Sequence, residues 1–352
     1  MDFSPRPPKR LAEPYNGALV CWRHCAELAA VIAGALALAL TLPLATAVFG
    51  LLLFGVAHNY FELRYVVGRF GGLFEGRLAE AVLTGLTAIV LIRVLPIGAL
   101  ARPLEIEAGY ALLGIVLAMR VTSWPMLAAG LVVIVMALSL SLANPDQHFV
   151  AITHLHNVLP LVFLWEWTAR AANTRTVKAF RLLHLTWAVA LPAAILLGLF
   201  GDGGSVSLDA GDPTPAAAVV GDVATFVRGL TPPGADSLLG GRLLAVFALL
   251  QLMHYYVWCR FFPAVGTVEA ARVDRALAGA GLPHGRRLTL LMLAVAALTF
   301  GLLWADFWQG RSLYGALAGY HAYVEYALLL LFVITWNRPR NVERGLVEGR
   351  SP

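Results

Sequence analysis

The chain has 352 residues, of which 59% are hydrophobic and only 13% charged. That balance lies far outside the range of soluble globular proteins and excludes a disordered chain or a nucleic-acid-binding domain, despite a net charge of +5. The basic residues sit mainly in loops between apolar runs, where they read as a membrane-topology signal instead.

The fold class expected is all-α, a polytopic integral membrane bundle of about ten transmembrane helices, because apolar runs of helix-spanning length recur along the chain. A β-barrel would need short stretches of alternating polarity, and Ala29–Ala45 does not alternate. The predicted spans are 24–43, 46–66, 79–101, 106–121, 124–143, 148–169, 182–200, 242–262, 287–308 and 313–336, forming one domain over 1–352. The short fourth span pairs with the fifth through a tight hairpin at Thr122–Pro125. The stretch Gly201–Gly241, rich in Gly, Pro, Ala and Asp, reads as an exterior loop with a surface helix over Ala216–Val227. Three cysteines, Cys21, Cys25 and Cys259, offer neither a disulfide framework nor a CxxC metal signature.

Arginines and lysines gather at the N-terminus (Arg6, Lys9, Arg10, Arg23), in the loops with Arg69 and Arg77, with Arg170 to Arg181 and with Arg272 to Arg287, and in the tail from Arg338 to Arg350. With ten spans all of these fall on one side, so the positive-inside rule predicts a plasma (inner) membrane protein with both termini cytoplasmic. The N-terminal segment is Pro/Arg-rich and does not read as a signal peptide. Arg64 and Arg93 read as side chains snorkelling to the interface.

Ionisable residues inside spans are costly in lipid and are functional candidates. The second span carries His58 and Glu62, and the tenth carries His321 and Glu325 at the same four-residue spacing, which places imidazole and carboxylate on one helix face. The sixth span adds His148, His154, His156, Asn157 and Glu166, and the eighth adds Gln251 and His254. All four spans are even-numbered and run in one direction, so their histidines fall in a layer roughly 10 Å deep at 1.5 Å rise per residue. His154 and His156 lie about 200° apart on a regular helix, but Pro160 removes the hydrogen bond to the His156 carbonyl and can kink the helix there. The expectation is that both lie near the site, one as a ligand and the other behind it.

Imidazole with carboxylate suits iron, zinc, copper or manganese, and such sites with open positions are the pattern of non-haem iron that activates dioxygen. The metal-ligand candidates are therefore His58, His154, His156, His254 and His321, with Glu62 and Glu325 as ligands or as groups that orient the imidazoles. Tyrosines and tryptophans around these histidines, among them Tyr255, Trp258, Tyr323 and Tyr326, would suit a long unsaturated ligand, and equally read as bundle packing.

The segments FGVAHNYFE, HLHNVLP, LQLMHYYVW and GYHAYVEY together resemble the Brp/Blh type of membrane β-carotene 15,15'-dioxygenase. That resemblance implies iron held by histidines from several helices and a carotenoid or other polyene as the lipid-soluble substrate. The reading is thus a membrane metal-dependent oxygenase. Three alternatives stay open: a haem-binding electron-transfer protein with axial histidines, a transporter whose His/Glu pairs relay protons, and a non-enzymatic membrane assembly factor. No GxGxxG nucleotide fingerprint follows a strand, so any reductant would come from an external electron donor.

Overall fold

The structure is a computed structural model that describes residues 22–74, 76–171, 174–201 and 214–335. The arginine-bearing N-terminal segment, Cys21, the middle of the predicted exterior loop (202–213) and the basic tail from 336 onward lie outside these residues. Every long element among the described residues is helical. In chain order they are α1 (Trp22–Thr41), α2 (Pro43–Phe70), α3 (Arg77–Val94), α4 (Ala101–Arg120), α5 (Trp124–Ala143), α6 (Pro145–Val158), α7 (Pro160–Ala169), α8 (Arg175–Leu185) and α9 (Leu191–Leu196). There follow two short helices, α10 (Pro215–Val220) and α11 (Val223–Arg228), then α12 (Ser237–Tyr256), α13 (Phe262–Val265), α14 (Thr267–Gly279), α15 (Gly285–Ala305) and α16 (Phe307–Thr335).

Eight helical stretches are long and apolar enough to cross a membrane. Three of them are composite: α6 with α7, α8 with α9, and α12 with α13. The remaining two predicted spans, the third and fourth, are helical as α3 and α4, but their charges (Arg77, Glu80 and Arg93; Arg102, Glu105, Glu107 and Arg120) take them below that apolar threshold. Several of those charges have partners. Arg93 and Glu105 pair with each other across α3 and α4, and Arg102 pairs with Asp146 at 2.5 Å. The predicted hairpin between the fourth and fifth spans is present, with Val121–Ser123 joining α4 to α5.

The bundle is organised on α2, α12 and α16. Helix α2 packs on α12, α14 and α15, while α16 packs on α3, α4 and α15, and α6 lies against α12. The outermost helices are α5 and α15, where only 6% of the most apolar window is buried inside the bundle. Their side chains, Val133, Met136 and Leu298 among them, point outward, as a helix facing lipid requires. A large aromatic and aliphatic core, with Phe70, Phe163, Trp258 and Phe262 at its centre, fills one end of the bundle.

Close approaches are made by glycine. A Cβ on Gly68 would lie 2.2 Å from the backbone oxygen of Glu269, so α14 can seat against α2 only because position 68 has no side chain. Arg64 does not snorkel: it forms an ion pair with Asp274 of α14 and so fastens the same contact. The stretch expected to be a surface helix is two helices separated at Gly221 (φ 72°), and both turn their apolar residues inward. Ala216, Val220, Phe226 and Val227 are buried beside Leu44, Val48 and Phe307, forming a second core at the opposite end of α2. Outside the spans, hydrogen bonds from the Thr225 hydroxyl and backbone N–H hold the Asp222 carboxyl below the usual carboxylate range and cap α11.

Two helices widen into a π turn, at Thr186–Ala190 and at Val257–Phe261. In each case a proline follows two residues later, Pro192 and Pro263. A proline inside a helix clashes with the carbonyl four residues before it, and a π turn moves that carbonyl aside. The kink expected at Pro160 takes a different form. The Leu159 N–H reaches both the His156 oxygen (3.2 Å) and the Leu155 oxygen (3.1 Å), so a tight turn takes up the carbonyl that proline leaves unpaired.

Candidate metal centre

Helix α2 enters the centre through Gly55 and His58. The ring of Tyr314 from α16 lies over Gly55, where an added Cβ would come within 3.1 Å of it, and the Tyr314 hydroxyl donates to the Gly55 carbonyl at 3.1 Å. One turn on, His58 Nδ1 lies 3.1 Å from the Phe54 carbonyl. A carbonyl can only accept, so this contact puts the proton on Nδ1 and leaves Nε2 as a bare lone pair. That lone pair points at the rings of three other helices.

His321 of α16 places its Nε2 3.3 Å from His58 Nε2 and 3.1 Å from His156 Nε2. His254 of α12 completes the group, with ring centroids 5.0 Å from His58 and 4.6 Å from His156. One nitrogen from each of His58, His156, His254 and His321 lies within 4.8 Å of all the others. These four residues come from α2, α6, α12 and α16, which are the even-numbered spans of the sequence reading.

The predicted carboxylates stand beside the imidazoles, Glu325 behind one ring and Glu62 on the side of the shared centre. Glu325 Oε2 is 2.8 Å from His156 Nδ1, on the side of the ring away from the centre, although it sits off the N–H direction. Glu62 Oε2 lies 3.9 Å from His321 Nε2 and 4.0 Å from His254 Nε2. Both glutamates are 0% exposed and His254 likewise, so solvent does not satisfy them.

The arrangement fits a metal cation on three grounds. In a tetrahedral site with metal–nitrogen bonds of about 2.0–2.1 Å, ligand nitrogens are about 3.3 Å apart, close to the 3.1 and 3.3 Å found here. An N–H on His321 could satisfy one neighbouring lone pair but not both. Both nitrogens of His254 and both oxygens of Glu62 are buried without a hydrogen-bond partner, a cost of about 1–3 kcal/mol each if nothing completes them. Charge agrees as well, since a divalent cation among neutral imidazoles would be offset by the Glu62 and Glu325 carboxylates once bound, in a region where net charge is expensive. The donor set can therefore hold a metal ion.

His154 is not part of this group. Its Nε2 faces the Leu230 carbonyl at 3.0 Å and its ring lies edge-on to Phe247, 5.9 Å between centroids. The turn at Pro160 lies beyond both histidines and leaves their divergence intact, so His156 enters the centre while His154 faces the segment that follows α11. Two other histidines have partners elsewhere. His148 Nδ1 lies 2.9 Å from Ser141 Oγ, and His184 accepts a hydrogen bond from Trp187 at 2.8 Å.

A cavity of ≈ 280 Å³ reaches the centre from one side, lined by His58, His156 and His321 together with Gln251, Tyr255 and Tyr314. Arg93 and Arg311 also line it. Arg93 is not a snorkelling side chain: its guanidinium holds Glu105 through two bonds of 2.6 and 2.9 Å and also reaches the Gly315 carbonyl, while Tyr323 donates to Glu105 at 2.9 Å. Glu105, Tyr314 and Arg311 escape a sequence reading based on histidine spacing. An arginine and a glutamate of opposite sign in consecutive apolar segments were the available signal for the first of them. A second cavity of ≈ 360 Å³ lies between α4, α5, α6 and α16 and is mostly apolar. It shares Ile152 and Tyr323 with the first.

Comparison with known proteins gives no match: no family model fits the chain, and neither a curated protein nor a solved structure is similar to it.

Proposed function

We propose that the chain is a membrane-embedded oxidoreductase in which His58, His156, His254 and His321 hold a non-haem iron, and that it acts on a lipid-soluble substrate such as a carotenoid or other polyene. The observation that carries this reading is the convergence of four imidazoles from four helices, three buried and His156 half-buried, with two buried carboxylates beside them. Iron bound by such a set supplies dioxygen activation. The chain's own groups do the rest. The Phe54 carbonyl fixes the tautomer of His58, Glu325 orients His156, and Glu62 sets the negative charge beside His254 and His321.

The surroundings suit a substrate taken from the bilayer. The apolar cavity is lined by Ile106, Leu113, Ile152, Tyr110, Tyr323 and Tyr326, and its rim includes Leu140 and Leu155, both outward-facing residues of α5 and α6. A nonpolar molecule can reach it sideways from lipid and lie with one end near Tyr323, next to the centre. A porphyrin fits less well. The imidazole rings pack at centroid separations of 4.6–5.0 Å on all sides of the common point, which leaves no slot for a flat macrocycle between two axial rings.

Metal analysis of the purified protein, with a visible spectrum, tests the proposal. The expected result is one iron per chain with no Soret band, and oxygen uptake that depends on an added polyene. Protein free of transition metal that drives pH-dependent uptake in proteoliposomes would replace it with the proton-relay reading.

A further inference from the structure

Arg311 is the one cation in the cavity wall that the metal reading leaves without work. It lies on α16, ten residues before His321, so about 15 Å of helix separates their backbones. Both side chains line the same cavity. Its guanidinium is stacked between two rings, with its carbon 5.2 Å from the Phe226 centroid and 5.5 Å from the Trp308 centroid. Trp308 is itself held by a 3.0 Å hydrogen bond to the Val220 carbonyl. The rings hold the guanidinium by cation–π attraction, which leaves its N–H edge to find other partners.

Among the described residues that edge has no hydrogen-bond or carboxylate partner. Other arginines of the bundle do. Arg93 has Glu105, Arg64 has Asp274, and Arg69 and Arg170 share Glu166. Glu105 is engaged by Arg93 and Tyr323 and makes no bond to Arg311. An uncompensated guanidinium within a membrane helix is expensive, and a planar fork of donors matches an oxyanion. A third cavity of ≈ 370 Å³, bounded by Trp308, Ser312 and Ala101, shares Arg93, Arg311 and Gly315 with the first, so Arg311 stands where the two meet.

We propose that Arg311, framed by Phe226 and Trp308, binds the carboxylate or phosphate of an amphiphilic ligand whose apolar part extends along α16 toward the histidine group. The apolar part is suggested by Ala47, Leu51, Phe247, Ala318 and Ala322, which line the same cavity as Arg311 and His321 alongside the polar Thr153, Asn157 and Gln251. A free acid and a lipid headgroup present the same oxyanion to Arg311. The site does not depend on what the histidines hold.

Isothermal titration of the full-length protein in neutral detergent tests this with oleate, methyl oleate, phosphatidylglycerol and inorganic phosphate. Oleate is expected to bind at least ~10-fold more tightly than methyl oleate, the scale of one charge-assisted bidentate contact. Arg311→Met removes that preference and Arg311→Lys keeps part of it. If phosphatidylglycerol binds in an Arg311-dependent way and oleate does not, the oxyanion is a headgroup; if inorganic phosphate suffices, the apolar part of the proposal falls. The preference for acid over ester persists after the protein is stripped with a chelator, and its loss on stripping would place the anion on the metal instead. Wild type that binds none of the anions, or that binds oleate and methyl oleate equally, overturns the proposal. So does folded Arg311→Met that binds the anions as wild type does, and if that variant fails to fold the acid–ester comparison decides.

Discussion

Removing the imidazole of His321 is the sharpest perturbation of the centre, because its Nε2 is the atom that touches both His58 and His156. Apparent binding energies for four-ligand sites in small zinc domains run to about 10–16 kcal/mol, so one ligand carries roughly 3 kcal/mol, or about a 10²-fold change in affinity. Truncation to alanine also leaves His58 Nε2 and Glu62 facing an empty volume, which adds to that loss. His321→Ala is therefore expected to emerge from gel filtration in detergent with less than a tenth of the wild-type metal, as read by elemental analysis, and to yield any remainder to a weak chelator. His154→Ala is the matched control two residues from a ligand. It loses the bond to the Leu230 carbonyl, worth about 1 kcal/mol, and should keep its full metal content. Equal metal in the two variants, or loss in His154→Ala with retention in His321→Ala, would refute the assignment of the centre.

Glu325→Gln keeps the shape behind His156 but removes the charge, and chelator competition should show affinity lower by about 10–100-fold. Glu105→Ala strands the Arg93 guanidinium and should lower stability by roughly 3 kcal/mol, seen as a drop in the thermal unfolding midpoint in detergent, whereas a shift near zero would mean that water replaces the pair. Gly68→Ala forces its new methyl group against the Glu269 backbone and should cost about 1–3 kcal/mol, with faster proteolysis of α14 as a local readout.

Much of this centre was legible in the sequence because lipid makes the argument strict. A histidine or glutamate in an apolar run has to find a partner, and counting residues from the span edge placed His58, His156, His254 and His321 at one depth. The helices that carry them do converge. The same logic could not separate His154 from His156, since a kink at Pro160 might have redirected either ring, and only the position of the turn after both residues decides it. It also misjudged Arg64 and Arg93. Snorkelling is the default for a lone arginine near a span edge, but these two have Asp274 and Glu105 within reach on other helices, and that proximity is tertiary. The third and fourth spans show the same limit, being helical yet carrying charges that the bundle pairs internally. The inward turn of α10 and α11 was hidden because a short apolar stretch in a Gly/Pro-rich segment says nothing about which surface it covers.

The π turn at Val257–Phe261 divides α12 and α13 into two parts that answer to different demands. Upstream, His254 is aimed by the regular helix that packs on α2 and α6. Downstream, Phe262 lies against Tyr65 with centroids 4.0 Å apart and stacks on Trp258. The wide turn holds one residue more than a regular helix would use, so deleting a single residue there would let the helix close and rotate everything after it by about 100°. His254 would keep its aim while Phe262 swung away from Tyr65. The bulge is thus a phase adjuster between the ligand and the aromatic floor, and a one-residue deletion that left metal content intact while loosening that floor would show that the two halves are tuned separately.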